Sequence, residues 1–251
     1  MIIQIVGLPG SGKTTLAKEL ASRINAIHLN ADEVRSDLNK DLGFTKEDRV
    51  EHSRRLGALS RLLDSQGHHV VVDFINPTSE TREAFGKVDK VIWRNRKPIR
   101  DYPDTTAMWE LPLNVDLMFD DLIESQDAAR LSIVDFQLHD WREPTTLMLG
   151  RYQPWHEGHH ALYKEAGNRT KQVLLGVRDT YKTSEKDPLN FNEVKSYIDK
   201  DPIMEKALVL KLPNITNIVY GRDVGYKIEQ IDLGADIHAI SATEKRRELG
   251  I

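Results

Sequence analysis

Two segments of the chain carry residue types that handle nucleotide phosphates. The first is the run Gly7-Leu-Pro-Gly-Ser-Gly-Lys-Thr14, which has the form G-x-x-x-x-G-K-[ST]. Its glycines let backbone N–H groups approach phosphate oxygens closely. The second is His156-Glu-Gly-His159, where two imidazoles three residues apart can neutralise the charge on an α-phosphate during in-line attack. These are different reactions, so the pair predicts a bifunctional enzyme.

The first segment predicts a binding loop for a nucleoside triphosphate. Lys13 is expected to bridge the β- and γ-phosphates, and the Thr14 hydroxyl is expected to coordinate Mg²⁺. Asp73, at the end of a later apolar run, is either a second carboxylate near the Mg²⁺ or a turn residue. The residues predicted to bind this nucleotide are Gly7, Gly10, Ser11, Gly12, Lys13, Thr14 and Thr15.

Alternating strands and helices are predicted around this loop. Ile2–Val6 is expected to form a buried strand and Lys13–Ile24 the helix that follows it. Alternating units of this kind indicate a parallel sheet with helices on both faces. Further strands are expected over 26–29, 69–73 and 88–93, and helices over 46–66 and 78–85. Two apolar helical faces are predicted, one of Leu56, Leu59, Leu62 and Leu63 and one of Leu122, Ala129, Ile133 and Phe136.

The proline and threonines of 142–146 predict a linker between two domains. After it, strands are expected over 147–150, 173–177 and 215–220, with a helix over Phe191–Ile198. The predicted fold class is α/β, with two Rossmann-like parallel-sheet domains. A P-loop domain is expected over 1–141, and a smaller domain that holds the histidine pair over 146–251.

Composition narrows the class of protein. Of the 251 residues, 39% are hydrophobic and 29% are charged, which is typical of a folded protein with a proper core. The net charge of −4 argues against broad binding of nucleic acid or of anionic membranes. The absence of cysteine excludes disulfides and thiolate catalysis. No apolar run is long enough for a signal peptide or a membrane span, so a cytoplasmic location is expected.

The first 85 residues resemble adenylylsulfate kinases in several separate motifs. The family pattern runs D-G-D-N-x-R, L-N-x-D-L-G-F, E-D-R-x-E-N-x-R-R and F-I-S-P. This chain has Asn30-Ala-Asp-Glu-Val-Arg35, Leu38-Asn-Lys-Asp-Leu-Gly-Phe44, Glu47-Asp-Arg49 and Phe74-Ile-Asn-Pro77 at the matching places. The resemblance implies a P-loop NTPase kinase domain that phosphorylates the 3′-hydroxyl of adenylyl sulfate, with ATP as co-substrate and a role in sulfate assimilation.

The same resemblance implies roles for single residues. Asp32 would orient or deprotonate the acceptor hydroxyl, as a secondary hydroxyl requires a carboxylate within reach. Arg35 and Arg49 would hold the phosphate and sulfate of the acceptor, and Phe74 would stack near its base. Asp32 could also cap a helix that starts near Glu33, and the two roles can coexist.

The chain departs from the family pattern at several positions. Asn30, His52 and Asn76 stand where the family has aspartate, asparagine and serine. The family's basic lid and its F-T-G-I-D segment are missing after Trp93, and the run 101–112 replaces them. The acceptor therefore stays open between adenylyl sulfate and another small hydroxyl compound.

The second half resembles the nucleotidylyltransferase superfamily, which includes the cytidylyltransferase-like enzymes. The resemblance is carried by Gly150-Arg-Tyr-Gln-Pro-Trp-His-Glu-Gly-His159 and by Ile240-Ser-Ala-Thr-Glu-Lys-Arg246, which matches I-S-x-T-x-x-R. It implies that His156 and His159 are catalytic and that Ser241 and Thr243 cap a helix whose amides receive the β- and γ-phosphates. Nucleotide binding is implied for Gly150, Arg151, Ser241, Thr243 and Arg246.

The subfamily and the nucleotide of this half stay open. The histidine segment looks most like that of archaeal-type nicotinamide-mononucleotide adenylyltransferases. Sulfate activation is less favoured, because Gln153 replaces the asparagine of the ATP sulfurylase motif R-N-P-x-H-x-x-H. ATP or CTP could serve as the nucleotide.

Three functions remain open at this point. The first domain could phosphorylate adenylyl sulfate made by the second domain. Alternatively, the kinase could make a phosphomonoester that the transferase converts to a metabolite linked to a nucleoside diphosphate. A nucleotide-sensing regulator is the alternative of another class. The expected partners are small phosphate or sulfate compounds, without nucleic acid or membrane, and a homo-oligomer stays open.

Overall fold

This computed structural model describes residues 1–96, 102–182, 184–204, 207–222, 225–238, 240 and 242–250. The contacts divide the chain into a first unit, Met1–Arg142, and a second unit, Glu143–Ile251. The first unit has strands β1 Ile2–Val6, β2 Ile27–Asn30, β3 Val70–Asp73, β4 Lys90–Arg94 and β5 Leu117–Phe119. Its helices are α1 Lys13–Ile24, α2 Ala31–Asp37, α3 Lys46–Ser65, α4 Ser79–Phe85, α5 Pro103–Ala107 and α6 Ser125–Asp135.

The first unit is built on a parallel sheet with the strand order β2-β3-β1-β4-β5. The central strand β1 is buried at every position, which explains why its sequence is almost entirely apolar. Asn30 is paired in register with Asp73, and Ile5 with the same aspartate on the other side. Because the strands are parallel, their carboxyl ends lie along one edge of the sheet, and the glycine loop begins there.

Two apolar clusters cover the two faces of this sheet. Helices α1 and α6 pack together on one face, where Leu16, Leu20 and Ile133 are buried among the strand residues. On the other face, α3 packs on α4, and Leu56 and Phe85 are fully buried there. The predicted α/β fold with a parallel sheet is confirmed for this unit.

The second unit holds a parallel sheet of three strands in the order β6-β7-β8. Its assignment as a Rossmann-like domain, and the domain bounds 1–141 and 146–251, stay predictions. The apolar cluster of this sheet includes Leu175, Val194 and Ile198. The elements are β6 Thr145–Gly150, α7 Glu157–Gly167, β7 Gln172–Arg178, α8 Phe191–Ile198, β8 Leu208–Leu212, α9 Ala235–His238 and α10 Ala242–Leu249, with a 3₁₀ turn at Pro202–Met204.

Several sequence predictions of elements were wrong. Residues 215–220 do not form a strand, and the third strand of the second sheet is β8 at Leu208–Leu212 instead. Leu62 is 56% exposed, because it points away from the buried stripe of α3. Leu122 is 87% exposed, because it precedes α6 rather than lying on it. An apolar run indicates burial only when the tertiary structure supplies a surface to cover it.

Candidate functional site

The glycine loop of the first unit forms a tight turn between β1 and α1. Gly7 has a φ of 155°, and a Cβ there would lie 2.4 Å from the carbonyl oxygen of Arg94, so only glycine fits. Gly10 and Gly12 also have positive φ angles, of 76° and 88°. Lys13 is buried, and its Nζ donates a hydrogen bond of 2.8 Å to the Leu8 carbonyl, which holds the ammonium over the loop. This geometry directs backbone N–H groups and one cation into the same space.

Among the remaining loop residues, Ser11 is fully buried, with an Oγ that makes no hydrogen bond, and Thr15 lies exposed on the first turn of α1. Burial lowers the pKa of Lys13 to about 8, and the carboxylates of Asp73 and Asp32 oppose this shift. The ammonium group is therefore poorly hydrated and lies close enough to both carboxylates to feel their charge. A bound phosphate would supply the solvation that burial removes.

Asp73 is the centre of a polar cluster beside the loop. One carboxylate oxygen, Oδ2, accepts hydrogen bonds from the Thr14 hydroxyl at 2.6 Å and from the Asn30 amide at 2.9 Å. The other, Oδ1, lies 2.5 Å from Nε2 of His28. Asp73 is 3% exposed, and its partners are Thr14 at the start of α1, Asn30 at the end of β2 and His28 inside β2. A hydroxyl and a carboxylate side by side are oxygen ligands of the kind that Mg²⁺ prefers.

Asp32 does not cap a helix, so that alternative was wrong. Helix α2 begins at Ala31, and its N-cap is Asn30, whose side chain accepts a hydrogen bond from the Glu33 N–H at 2.9 Å. Asp32 therefore lies in the first turn of α2, exposed and with its charge acting on Lys13. The residue that caps the helix is Asn30, which stands where the family pattern has aspartate.

Arg35 and Arg49 are brought together by the turn that contains Phe44. Arg35 Nη1 donates a hydrogen bond of 2.5 Å to the Gly43 carbonyl, and Arg49 Nε donates one of 3.0 Å to the Phe44 carbonyl. Both guanidinium groups lie over the Phe44 ring, at 5.0 and 5.6 Å from its centre. Two guanidinium groups held close together on one aromatic ring can both bind an acceptor that carries two negative charges.

Phe74 follows β3 and contacts His52 edge-on, with ring centres 5.6 Å apart. His52 is 1% exposed, and its Nδ1 lies 2.8 Å from the Asn39 amide nitrogen. Burial, with a smaller contribution from the charge of Arg35, lowers the pKa of His52 to about 4. The imidazole is therefore neutral at neutral pH and packs behind Phe74.

Replacing His52 by asparagine should make the first unit less sensitive to acid. An imidazole with a pKa of about 4 in the folded chain and of about 6.5 when unfolded takes up its proton preferentially in the unfolded state. The wild-type free energy of unfolding should thus fall as pH drops from 6.5 to 4, by about 1.4 kcal/mol per pKa unit of separation. Urea unfolding of His52→Asn should lack this part of the slope. The exposed His68→Asn serves as control, and a wild-type slope in His52→Asn would contradict the prediction.

In the second unit, His156 and His159 lie against each other at the start of α7. Their rings are stacked with centres 3.8 Å apart and an interplanar angle of 26°. His156 is the N-cap of the helix, and its Nδ1 accepts a hydrogen bond of 3.1 Å from the Gly158 N–H. His159 stacks on Trp155 with ring centres 5.4 Å apart, and its buried Nδ1 has no hydrogen-bond partner in the part of the chain that the structure describes.

Burial lowers the pKa of His159 to about 3, and the neighbouring His156 contributes to the shift. The His156 pKa is also lowered by burial. Both imidazoles are then neutral at neutral pH. They can act on an anion as hydrogen-bond donors that burial has freed from competing water.

The C-terminal segment reaches the histidine segment through Arg246. Its Nη1 donates a hydrogen bond of 2.8 Å to the Gln153 carbonyl, and its Nη2 donates one of 3.0 Å to the Thr243 hydroxyl. Thr243 lies in the first turn of α10, and the predicted Ser241 lies outside the described residues. Gly150 ends β6 beneath the Tyr152 ring, and Arg151 forms an ion pair of 3.0 Å with Asp187. Two motifs about 90 positions apart in sequence thus meet at the start of α7.

Four residues near the first loop were not predicted to belong to the site: His28, Asn30, Arg94 and Arg96. Asn30, Arg94 and Arg96 lie at or just after the end of a strand that neighbours β1 or β3, and His28 lies inside β2. The common signal of the first three is a polar side chain at the end of an apolar run. That signal points to the site only once the strand order shows which strand ends lie beside the loop.

The described part of the chain shows neither a membrane-spanning helix nor a cluster of metal-binding side chains. None of its helices combines the length and the apolar character needed to cross a bilayer. Within the same residues, no group of three or more His, Cys, Asp or Glu side chains could enclose a metal ion.

Comparison with known proteins gives a family for the first half. Residues 1–106 match the adenylylsulphate kinase family. The probable adenylyl-sulfate kinase of Bacillus subtilis is 32% identical over 154 residues, which cover 55% of this chain and 78% of that protein. The adenylyl-sulfate kinase of Bacillus pumilus is 31% identical over 164 residues and is covered to 83%, with 54% of this chain matched.

Solved structures give a match of similar extent. The Mycobacterium tuberculosis APS kinase CysC, in complex with AMPPNP and APS, matches 54% of this chain and 96% of its own length at 27% identity, with a TM-score of 0.49. The phosphate loop, the parallel sheet and the sequence relatives agree that the first unit is a P-loop kinase with ATP-binding residues. Through its N-terminal half, the chain therefore belongs to the adenylyl-sulfate kinase family.

Proposed function

We propose that the first unit transfers the γ-phosphoryl group of ATP to the 3′-hydroxyl of adenylyl sulfate or of a related small hydroxyl compound. The observation that carries this proposal is the cluster of Lys13, Thr14 and Asp73 at the phosphate loop, with the Asp32 carboxylate close enough to act on Lys13. The named substrate of the Bacillus relatives supports the choice of acceptor.

Thr14 and Asp73 are the residues that would hold Mg²⁺. Their oxygens lie 2.6 Å apart, and the His28 and Asn30 contacts keep the Asp73 carboxylate in one orientation. The ion would neutralise charge on the phosphates during transfer. Lys13 would neutralise the same charge from the loop side, and the loop N–H groups would orient the phosphate chain.

Asp32 would act on the acceptor hydroxyl. It is an exposed carboxylate in the first turn of α2, and its charge reaches the Lys13 ammonium. A carboxylate in this position can accept the hydroxyl proton as the bond to phosphorus forms. Arg35 and Arg49, held on Phe44, would bind the anionic groups of the acceptor.

Replacing Asp32 by asparagine should lower kcat for phosphoryl transfer about 100- to 1000-fold, because asparagine cannot take up the proton. The Kd for MgADP should stay within about twofold of wild type, because the loop contacts are kept. The matched control is Asp37→Asn on the same helix. Equal activity in Asp32→Asn and wild type would exclude Asp32 as the base.

A direct assay tests the acceptor. The protein is incubated with MgATP and adenylyl sulfate, and mass spectrometry looks for the 3′-phosphorylated product. Its absence, together with phosphorylation of another alcohol from a metabolite pool, would reject adenylyl sulfate and leave the kinase assignment intact. The missing family lid after Trp93 makes this comparison necessary.

We propose that the second unit is a nucleotidylyltransferase, in which a phosphate-bearing acceptor attacks the α-phosphate of ATP or CTP and pyrophosphate leaves. The hydrogen bond from Arg246 to Gln153, beside the stacked imidazoles, is the observation that supports it. A transferase of this kind adds a nucleotide to a phosphate nucleophile, which a kinase on the same chain could supply. Nicotinamide mononucleotide is the alternative acceptor. The cytoplasmic location, the absence of a nucleic-acid partner and a homo-oligomer stay predictions.

A further inference from the structure

Two arginines at the end of β4 lie against the phosphate loop. Arg94, the last residue of the strand, is fully buried, and its carbonyl oxygen packs against Gly7. Arg94 Nε and Arg96 Nη1 lie 3.9 and 3.8 Å from the point where a Cβ on Gly12 would be. Both guanidinium groups therefore border the last glycine of the loop.

The chain holds both side chains in fixed orientations. Arg94 donates hydrogen bonds to the carbonyls of Asp120 and Ile123, at 3.2 and 2.6 Å. Arg96 donates to the carbonyls of Asp121 and Ile123, at 3.1 and 3.3 Å. The segment after β5 thus fixes both guanidinium planes, while the buried Nε of Arg94 has no hydrogen-bond partner among the described residues.

Carboxylates oppose the burial of Arg94 only from a distance, since Glu124, Asp121 and Asp120 act on its charge without bonding to it. Among the residues that the structure describes, no carboxylate forms an ion pair with Arg94, and those nearest to Arg96, Asp121 and Glu124, lie 3.6 Å away. The two guanidinium groups also repel each other. Burial lowers the pKa of Arg94 more than these carboxylates raise it, so an anion placed where the two guanidinium groups meet the loop would stabilise the buried charge.

We infer that Arg94, assisted by Arg96, contacts the phosphate chain of the nucleotide bound in the loop. This inference rests on the nucleotide-binding role proposed above for the first unit. The loop N–H groups and Lys13 would receive the phosphates from one side, and the guanidinium groups would add two positive charges from the β4 side. The phosphate chain of a nucleoside di- or triphosphate is the anion that fits, because it alone is expected against Gly12.

A purely structural role for Arg94 makes a different prediction. If Arg94 only ties the segment 120–123 to β4, its loss would lower stability and leave nucleotide affinity unchanged. If it contacts phosphate, affinity falls while adenosine, which lacks phosphate, is bound as before. The dependence of affinity on salt should also decrease, since fewer charges take part.

The experiment measures Kd for MgADP, MgATP and adenosine by calorimetry with the full chain, and checks folding by circular dichroism. Arg94→Met should weaken MgADP about 10- to 100-fold, as expected for a lost charged hydrogen bond, and Arg94→Lys should weaken it less. Arg61→Met is the matched control, because Arg61 also donates to a backbone carbonyl, that of Phe85, away from the loop.

Wild-type affinity for MgADP in folded Arg94→Met would overturn the inference. If Arg94→Met does not fold, Arg96→Gln decides: a loss of about three- to tenfold supports the inference, and an unchanged Kd overturns it. Failure of the proposed function gives a distinct result, because wild type would then bind neither MgADP nor MgATP in the loop and Lys13→Ala would change nothing.

Discussion

Replacing Lys13 by alanine should abolish phosphoryl transfer, with a loss of about 1000-fold or more in kcat/KM. Lys13 is the buried cation of the loop, and burial has already removed most of its water. Its interaction with the transferring phosphoryl group should therefore be far stronger than that of a surface lysine. Methionine at this position would retain much of the packing and should give the same loss.

The measurement is product formation from radiolabelled MgATP with adenylyl sulfate as the first acceptor tested. The matched control is Lys18→Ala. Lys18 lies on the same helix five residues after Lys13 but is exposed, so this variant should keep wild-type activity. Retention of more than a tenth of wild-type activity in Lys13→Ala would contradict the assignment of the loop as the catalytic site.

Replacing His159 by alanine should stop pyrophosphate release by the second unit, with a loss of about 100- to 1000-fold. His159 is half-buried between Trp155 and His156, and its neutral imidazole is a largely desolvated hydrogen-bond donor. We prefer His159 to His156 for this test, because His156 also caps α7 and its loss would weaken the helix by about 1 kcal/mol.

Pyrophosphate release is followed with ATP and with CTP, in the presence of a phosphate-bearing acceptor pool. The matched control is Lys164→Ala, which lies exposed on the same helix. Phosphoryl transfer by the first unit should be unchanged in both variants. Loss of both reactions in His159→Ala would mean that one composite site performs them, and an unchanged release would remove the imidazole pair from the proposed chemistry.

The two variants together test whether the chain carries two independent activities. The proposed second activity rests on the geometry of the histidines and of Arg246.

Much of the first site was predictable from sequence because its residues are close together along the chain. The loop 7–14 needs only a strand before it and a helix after it, and the structure has both with the predicted bounds of Ile2–Val6 and Lys13–Ile24. The cap of α2 was assigned to the wrong residue. Asn30 and Asp32 can both cap a helix, and only backbone geometry decides between them.

Other parts of the sites depend on strands that are distant in sequence. Asp73 meets Thr14 and His28 because β3 lies between β1 and β2, and Arg94 reaches Gly12 because β4 lies on the other side of β1. The prediction of a strand at 215–220 was wrong because the sheet position depends on tertiary packing and not on an apolar run alone. The apolar residues of that segment, Ile218, Val219 and Tyr220, are exposed, and Leu208–Leu212 occupies the sheet position instead.

The amino-acid sequence by itself determined the local features of this protein: the turn of the phosphate loop, the helices after it and the placement of the imidazoles three residues apart. These follow from backbone preferences and from hydrogen bonds within a few residues. Only the tertiary structure decided which charged groups surround them, as with Arg246 at Gln153 and Arg94 at the loop. Such contacts depend on strand order and on burial, which arise when the whole chain packs and not from any one segment.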